Sequence, residues 1–596
     1  MTRTHGLGWC MATLLVACGG NEDAAGSDAD TDTGFTTGAD TDAVDETSAS
    51  TTAGETEAED ESGDETGETE PEVELEVLSP PEHLIRISMA LRGTRPSTED
   101  LAAIEADPDR MPEFVDAYMQ GDGFAEVVRD LHNDALLTRV EGALPNYAPL
   151  EDVRPQRIAD SVTATALKLA ELVVLDDRPY TELVTGDTWM VDDVVAAVYG
   201  ITDGGSGWRE VPIPGDRPAA GILSDNAFYL RHESAGANFH RGRANAVSTA
   251  FLCFDYEDNN IELDDNIDLT DAEAVAMALT TNPACQACHE TLDPLASHFF
   301  PLPGNVMNND IPSYPVPDLY RPANADDWQQ TTGRAPGYFG QETSDIGELG
   351  QAIAEDPRFT ACAARRFYAY FLQRRLDEVD GDTVDALEAT FQDSGLQARA
   401  LIRAIMLSDD FRVAGAASAE GADEVQGYLR ARPFQLALLL EDLTGFRWEI
   451  DPTLIDPGQG EGIIDLSRSA AVGFAVLGGG GDSFTVIESA HTMNATTSLF
   501  IRQLASEAAS YVVEHDLREG EGALLTLGDA VDEASVREQL ASLFFRLYGE
   551  AVESNGPDVD DAYALFAALH GASGDHERAW KATLAALLQD FSITFY

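Results

Sequence analysis

The chain has 596 residues and is strongly acidic, with 107 Asp and Glu against 36 Lys and Arg and a net charge of −71. A surface of this charge repels nucleic acid and anionic membrane faces, so we exclude both as direct partners. Hydrophobic residues make up 44% of the chain, which is enough for globular cores, and the length suggests roughly two to four domains.

The N-terminus has the pattern of a bacterial export signal. Arg3 precedes a short apolar segment, residues 7–17, and Cys18 follows it directly. This segment is too short to cross a bilayer as a helix. Residues 15–18 resemble the lipobox of bacterial lipoproteins, so we expect residues 1–17 to be a lipoprotein signal peptide and Cys18 to carry a lipid anchor. An ordinary signal peptide is the alternative. Asp is absent directly after Cys18, which by resemblance to sorted lipoproteins favours the outer membrane of the cell envelope.

Residues 18–75 consist mostly of Asp, Glu, Thr, Ser, Gly and Ala and contain no Lys or Arg. Such a segment buries too little apolar area to offset the entropy lost on ordering, and its like charges repel one another. We therefore predict a long, disordered, acidic tether that leads from the lipid anchor to the folded part of the chain.

Apolar residues at helical spacing begin after this segment and continue along the chain. Leu84, Ile87 and Leu91 share one helical face, Gly93 ends that helix, and Ser97 is placed to cap the next one. A sustained two-residue alternation is missing, so large sheets are not expected. The sequence predicts a mainly α, multi-domain helical protein.

Cys285, Cys288 and His289 form a Cys-x-x-Cys-His motif. This spacing is the attachment signature of c-type haem, because the two thiols can form thioethers with the haem vinyl groups while the adjacent histidine binds the iron. We predict a covalent haem c held by these three residues. Two structural interpretations remain open, a local disulfide or half of a zinc site, although the sequence contains no second Cys pair or His pair at zinc-site spacing.

The second axial ligand of such a haem has several candidates. Met307 lies in a turn-rich loop after the motif and within reach of the iron, and we predict that it is the ligand. His298 lies close to His289 in sequence. The short chain between the two histidines would have to pass round the porphyrin edge in a tight span. Water, Met406 or another residue are the remaining alternatives. A methionine ligand would raise the reduction potential relative to a histidine ligand.

Composition sets the expected domain boundaries. A proline-rich stretch, residues 300–340, follows the motif, and we expect it to cover the haem because long irregular loops usually pack around something. Residues 414–424 are small, polar and acidic and indicate a linker. The domains are an N-terminal helical domain at 76–245, a cytochrome c-like haem-binding region with its following helices at 246–413, and a C-terminal helical domain at 425–596.

Two cysteines remain once the other four have been assigned. Cys10 leaves with the signal peptide, Cys18 is lipidated, and the motif uses two more of the six. Free thiols are unusual in an oxidising compartment, so we predict a disulfide between Cys253 and Cys362. Two buried free cysteines are the alternative.

Eight segments of the chain carry longer motifs: residues 92–97, 177–185, 220–223, 231–232, 240–245, 282–296, 358–362 and 408–412. These motifs resemble those of the planctomycete-type cytochrome c proteins. The resemblance extends from about residue 80 onward and is more diffuse in the last third of the chain. It implies an extracytoplasmic, multi-domain haem protein and supplies no catalytic residue.

Two functions are compatible with these features. The first is a membrane-tethered mono-haem cytochrome that passes single electrons to an unidentified redox partner protein, alone or as a module of an oxidoreductase. The second is a non-enzymatic envelope lipoprotein whose motif is structural or degenerate and whose helical domains bind a partner. Neither Gly-x-Ser-x-Gly nor His-Glu-x-x-His occurs, so the chain has no hydrolase signature. A haem enzyme such as a peroxidase is a weaker third option.

Overall fold

Capping residues decide where the first helices begin and end. Ser97 starts its helix by accepting a hydrogen bond from the Asp100 backbone N–H at 3.1 Å, as predicted. Gly93 ends the preceding helix with a left-handed φ of 66°, and its N–H donates to the Met89 carbonyl.

The computed structural model describes residues 75–140, 150, 153, 155–232, 234, 238–258, 271–303, 313–417, 427–451, 463–470, 472–520, 522 and 524–596.

This part of the chain is mainly helical, in agreement with the predicted fold class. The α-helices are α1 Pro80–Arg92, α2 Thr98–Ala106, α3 Met111–Tyr118, α4 Gly121–Leu136, α5 Pro155–Leu175, α6 Glu182–Thr185, α7 Asp193–Tyr199, α8 Arg241–Leu252, α9 Ala272–Thr281, α10 Pro283–Ala296, α11 Ile346–Glu355, α12 Pro357–Leu372, α13 Gly381–Asp393, α14 Ala398–Met406, α15 Pro433–Thr444, α16 Ala495–Val512, α17 Glu533–Tyr548, α18 Pro557–Ser573, α19 His576–Leu587 and α20 Phe591–Thr594. A π-helical segment, Val513–Glu519, continues α16.

The strands in the described residues are short and form two-stranded antiparallel pairs. The pairs are β1 Leu75–Val77 with β6 Val413–Ala416, β2 Thr188–Val191 with β3 Arg209–Pro212, β4 Gly337–Tyr338 with β5 Gln341–Glu342, and β7 Glu449–Ile450 with β8 Ile464–Asp465. In this part of the chain the strand pairs are therefore too short to form a layer of their own.

Most buried apolar side chains between Leu84 and Phe434 pack into one large core, and two smaller clusters contain Ile158 and Trp189. Phe124, Phe299, Phe359 and Phe367 are each at most 1% exposed in the large core and come from widely separated segments. The predicted domain boundary at 245–246 lies inside α8, and buried side chains on both sides of it belong to this same core.

A second core lies in the C-terminal region and is built mainly by α15 to α19. Trp580 is its largest fully buried side chain, and Leu504, Leu540 and Leu584 pack in the same cluster.

Residues 418–426, which include most of the predicted linker, lie outside the described residues. Among the residues described, no helix combines the length and the apolar character that crossing a bilayer requires.

The first strand clasps the described fold at a point far along the chain. Leu75 pairs with Ala416 and Val77 with Val413. Arg86 in α1 supports the same place, since its guanidinium donates to the Phe411, Val413 and Gly427 carbonyls. The signal peptide, Cys18 and the tether predicted for residues 18–75 lie outside the described residues, apart from Leu75.

Candidate haem-attachment site

Helix α10 presents the Cys-x-x-Cys-His motif in its first two turns. Asn282 caps this helix, and its side-chain oxygen accepts hydrogen bonds from the Ala284 N–H at 2.9 Å and the Cys285 N–H at 3.4 Å. Pro283 occupies the first helical position, which suits its fixed φ. Cys285 and Cys288 are one turn apart, and His289 lies four residues beyond Cys285, so the three side chains share one side of the helix.

Both thiols of the motif are free and partly exposed. They are not joined to each other, so the structure does not contain the local disulfide considered as an alternative. Cys288 packs against the large core, whereas Ala287 between the two cysteines is exposed. The described residues contain no group of three or more His, Cys, Asp or Glu side chains arranged to hold a metal ion.

The His289 imidazole is held by a buried carboxylate one turn further along α10. The His289 Nδ1 lies 2.9 Å from the Asp293 Oδ1. Arg241, the first residue of α8, donates to the same Oδ1 through Nε at 2.6 Å and to Oδ2 through Nη2 at 3.2 Å. The Asp293 side chain is 2% exposed, compared with 21% for His289 and 17% for Arg241.

The Asp293 side chain acts as a carboxylate acceptor. Burial by itself raises the pKa of Asp293, but the hydrogen bonds from His289 and Arg241 outweigh burial and keep that pKa below its ordinary value. A carboxylate only accepts hydrogen bonds, so a neutral His289 carries its proton on Nδ1 and has a lone pair on Nε2. This is the tautomer that a histidine needs in order to bind a metal through Nε2.

Two arginines close before α10 in the chain, Arg241 and Arg243, both make hydrogen bonds within the protein. Arg241 pairs with Asp293, as described above. Arg243 is buried, and its guanidinium donates to the carbonyls of His232, Leu302 and Pro303 at 2.8–3.1 Å. Arg243 therefore ties the segment before α8 to the segment after α10, so it has a structural role in this arrangement.

Of the three named candidates for the second axial ligand, the structure describes His298 and Met406. Met307 lies outside the described residues. Both ring nitrogens of His298 are engaged, one with the Leu295 carbonyl at 3.0 Å and the other with the Thr343 hydroxyl at 2.7 Å. Met406 is fully buried in the large core.

Sequence reasoning missed a further histidine beside this site. His240 directly precedes Arg241, is 7% exposed and packs edge-on against Phe300. Within the described residues its Nδ1 is buried and has no hydrogen-bond partner. Burial, followed by the positive charge of Arg243, lowers the pKa of His240 to about 3, so the ring is neutral. The only signal in the sequence was its position in the motif at residues 240–245.

The structure contains the disulfide between Cys253 and Cys362 that the sequence predicted. The two sulfurs are 2.10 Å apart and the Cα atoms 5.3 Å. Cys253 ends α8, and Cys362 lies in α12. The bond therefore fixes the helix that carries Arg241 to the helical segment that follows the motif.

A polar cavity of about 80 Å³ lies between α4 and residues 468–489. Its charged side chains satisfy one another, since the Arg432 guanidinium lies 3.1 Å from an Asp130 oxygen and 3.0 Å from an Asp134 oxygen. The Tyr370 hydroxyl donates to Asp130 as well. Arg139 and Glu126 form a further pair in the same lining, at 2.8 Å.

Comparison with known proteins gives one match. Residues 339–411 match the model of a family described as a protein of unknown function (DUF1585). No curated protein and no solved structure matches the chain. The matched residues comprise α11 to α14, include Cys362 of the disulfide and supply Thr343 to His298. The residues that match this family model are thus bonded through Cys362 to Cys253, in the segment that precedes the Cys-x-x-Cys-His motif.

Proposed function

We propose that the chain is an extracytoplasmic, membrane-tethered mono-haem c-type cytochrome-like lipoprotein that transfers single electrons. The observation that carries the proposal is the donor set on α10. Cys285 and Cys288 are free and partly exposed, and the adjacent His289 is held by Asp293 with Nε2 available. These residues fit haem c, with two thioether bonds from the cysteines and iron ligation by the histidine. The bound haem would supply a one-electron iron couple.

The DUF1585 match supports the proposal at a coarser level. It agrees with the resemblance to planctomycete-type cytochrome c proteins, but the matched residues, 339–411, do not include the haem motif. The Cys253–Cys362 disulfide supports an extracytoplasmic location, because disulfides persist mainly in oxidising compartments. Lipidation at Cys18 and placement at the outer membrane form part of the same proposal.

The electron partner is another protein, and the surface charge restricts its nature. With a net charge of −71, the chain favours a partner with a cationic docking patch and disfavours anionic surfaces. The alternative function is a non-enzymatic envelope lipoprotein whose motif carries no haem.

Covalent attachment is tested by expressing the chain with a cytochrome c maturation system and extracting it with acidic acetone. The wild-type polypeptide should keep its colour and its Soret band. Cys285→Ser and Cys288→Ser should weaken or abolish both, because each removes one thioether. The matched control is Ala287→Ser, an exposed position inside the motif, which should retain them. Complete extraction of haem from the wild-type chain, or a missing Soret band, would contradict the proposal and favour the alternative.

A further inference from the structure

The hydrogen bond between His289 and Asp293 has a buried carboxylate as its acceptor. Both residues are on α10, four positions apart, and the Asp293 side chain is 2% exposed. A hydrogen bond to an ionised acceptor is stronger than one between neutral groups, and a low local dielectric strengthens it further. The imidazole is thus fixed in orientation and polarised by a full negative charge.

Such a hydrogen bond changes the strength with which the imidazole donates electrons to a metal. A carboxylate that accepts the Nδ1 proton makes the opposite nitrogen a stronger electron donor. A stronger donor stabilises ferric iron more than ferrous iron, because the ferric ion carries the larger positive charge. The reduction potential of an iron bound at Nε2 is therefore lower than it would be with an unassisted histidine.

Arg241 works in the opposite direction. Its guanidinium binds both Asp293 oxygens, including Oδ1, the oxygen that faces His289. A positive charge shared in this way reduces the electron density that the carboxylate gives to the imidazole. A purely structural Asp–Arg pair needs no third partner. The Oδ1 that Arg241 shares with His289 therefore indicates that this pair also acts on the imidazole.

We infer that Asp293 and Arg241 are positioning residues that set the donor strength of His289, with the carboxylate lowering and the guanidinium raising the reduction potential of a haem iron bound there. This inference rests on the proposed function. It also links redox tuning to the packing of α8 on α10, since Arg241 is supplied by α8 and Asp293 by α10.

The test is potentiometric titration of matured protein. Asp293→Asn keeps the shape of the side chain and removes its charge, so it should favour the reduced state by about tenfold, a rise of ~59 mV. Arg241→Gln should shift the potential in the opposite direction, and Arg241→Lys should restore it towards the wild-type value. The matched control is Asp192→Asn, because Asp192 is 3% exposed and pairs with Arg157 at 2.6 Å. It should leave the potential unchanged.

A second measurement does not depend on haem. In the haem-free Cys285→Ser/Cys288→Ser protein, ¹⁵N spectra of labelled histidine should show His289 protonated on Nδ1 and unprotonated on Nε2. Equal potentials for wild type and Asp293→Asn in folded protein, or the reverse tautomer, overturn the inference. If Asp293→Asn does not fold, the lowered potential of Arg241→Gln and its recovery in Arg241→Lys decide it. Failure of the proposed function is separate, since it appears as a wild-type chain without covalent haem, and the tautomer then still decides this point.

Discussion

His132 shows how burial fixes the protonation state of a single residue. Its side chain is in the large core between Tyr180 and Phe367, with Nδ1 2.7 Å from the Val128 carbonyl and Nε2 3.0 Å from the Tyr180 hydroxyl. The carbonyl only accepts, so Nδ1 carries the proton and the Tyr180 hydroxyl donates to Nε2. Burial lowers the pKa of His132 from 6.5 to about 4, because the charged ring would be desolvated.

This shift predicts a pH dependence of stability. In the unfolded chain His132 becomes protonated as the pH falls below 6.5. In the folded chain it stays neutral until the pH approaches about 4. The unfolded state binds more protons in this window, so the free energy of unfolding should fall as pH decreases from 6.5 to 4. The contribution of His132 is on the order of 3 kcal/mol.

Denaturant unfolding of wild type and His132→Gln across this pH range measures the effect. The variant should take up about one proton fewer on unfolding, giving a shallower slope. A slope identical to that of wild type would show that His132 is already protonated in the folded protein.

The second axial ligand is also a question at the scale of one residue. Met307 is the ligand expected from the sequence, and His240 is the buried neutral histidine that the structure adds. Met307→Ala should abolish the near-infrared band of a sulfur–iron bond in matured protein, and His240→Ala should preserve it. An unchanged band, or no such band in the wild type, would remove Met307 as the ligand.

Helix α10 is the element on which the proposed function depends. Asn282 satisfies the backbone N–H groups of Ala284 and Cys285 at its start. Replacing an N-cap asparagine with alanine typically costs about 1 kcal/mol. We expect Asn282→Ala to lower stability by this amount and to reduce the yield of covalent haem, because the first turn that holds Cys285 frays.

The control for this prediction is Asn282→Asp, which keeps a capping oxygen and adds a charge that suits a helix N-terminus. It should match wild type in stability, measured by thermal unfolding, and in haem yield. If alanine and aspartate behave alike, the cap does not control the attachment segment.

Sequence patterns predicted the elements better than the relations between them. The Ser97 cap and the glycine stop at Gly93 depend on neighbours within four residues, so they were readable from the sequence. Asp293 was also within reach, at four residues from His289 on a helix, but nothing local marked it as buried. Arg241 and the β1–β6 pair depend on contacts between distant segments, which local periodicity does not encode.

For the whole molecule, the Cys253–Cys362 disulfide has the widest effect. It closes a loop with a sequence separation of 109 that contains the complete haem motif. The predicted boundary at 245–246 falls within α8, which packs in the large core and is bonded through Cys253 to Cys362.

Removing this bond should destabilise the whole chain. Cys253→Ser/Cys362→Ser should lower the free energy of unfolding by ~2–5 kcal/mol, because the unfolded chain gains the freedom of a long open loop. Thermal unfolding measures the loss, and wild type in a reducing agent should show a similar decrease. The covalent haem should remain, because neither cysteine belongs to the motif. Equal stability of the variant and the oxidised wild type would contradict a stabilising role.

The clasp between β1 and β6 has a mechanical consequence. Any pull on the chain ahead of Leu75 reaches this ladder before it reaches the helices, and the outermost pair, Leu75 with Ala416, bears the tension first. Three paired positions, backed by the Leu78 N–H on the Arg412 carbonyl and by Arg86, must open before α1 is drawn from the core. In the proposed lipid-anchored form, this ladder is therefore the first part of the described fold to be loaded by a force that arrives from the N-terminal side.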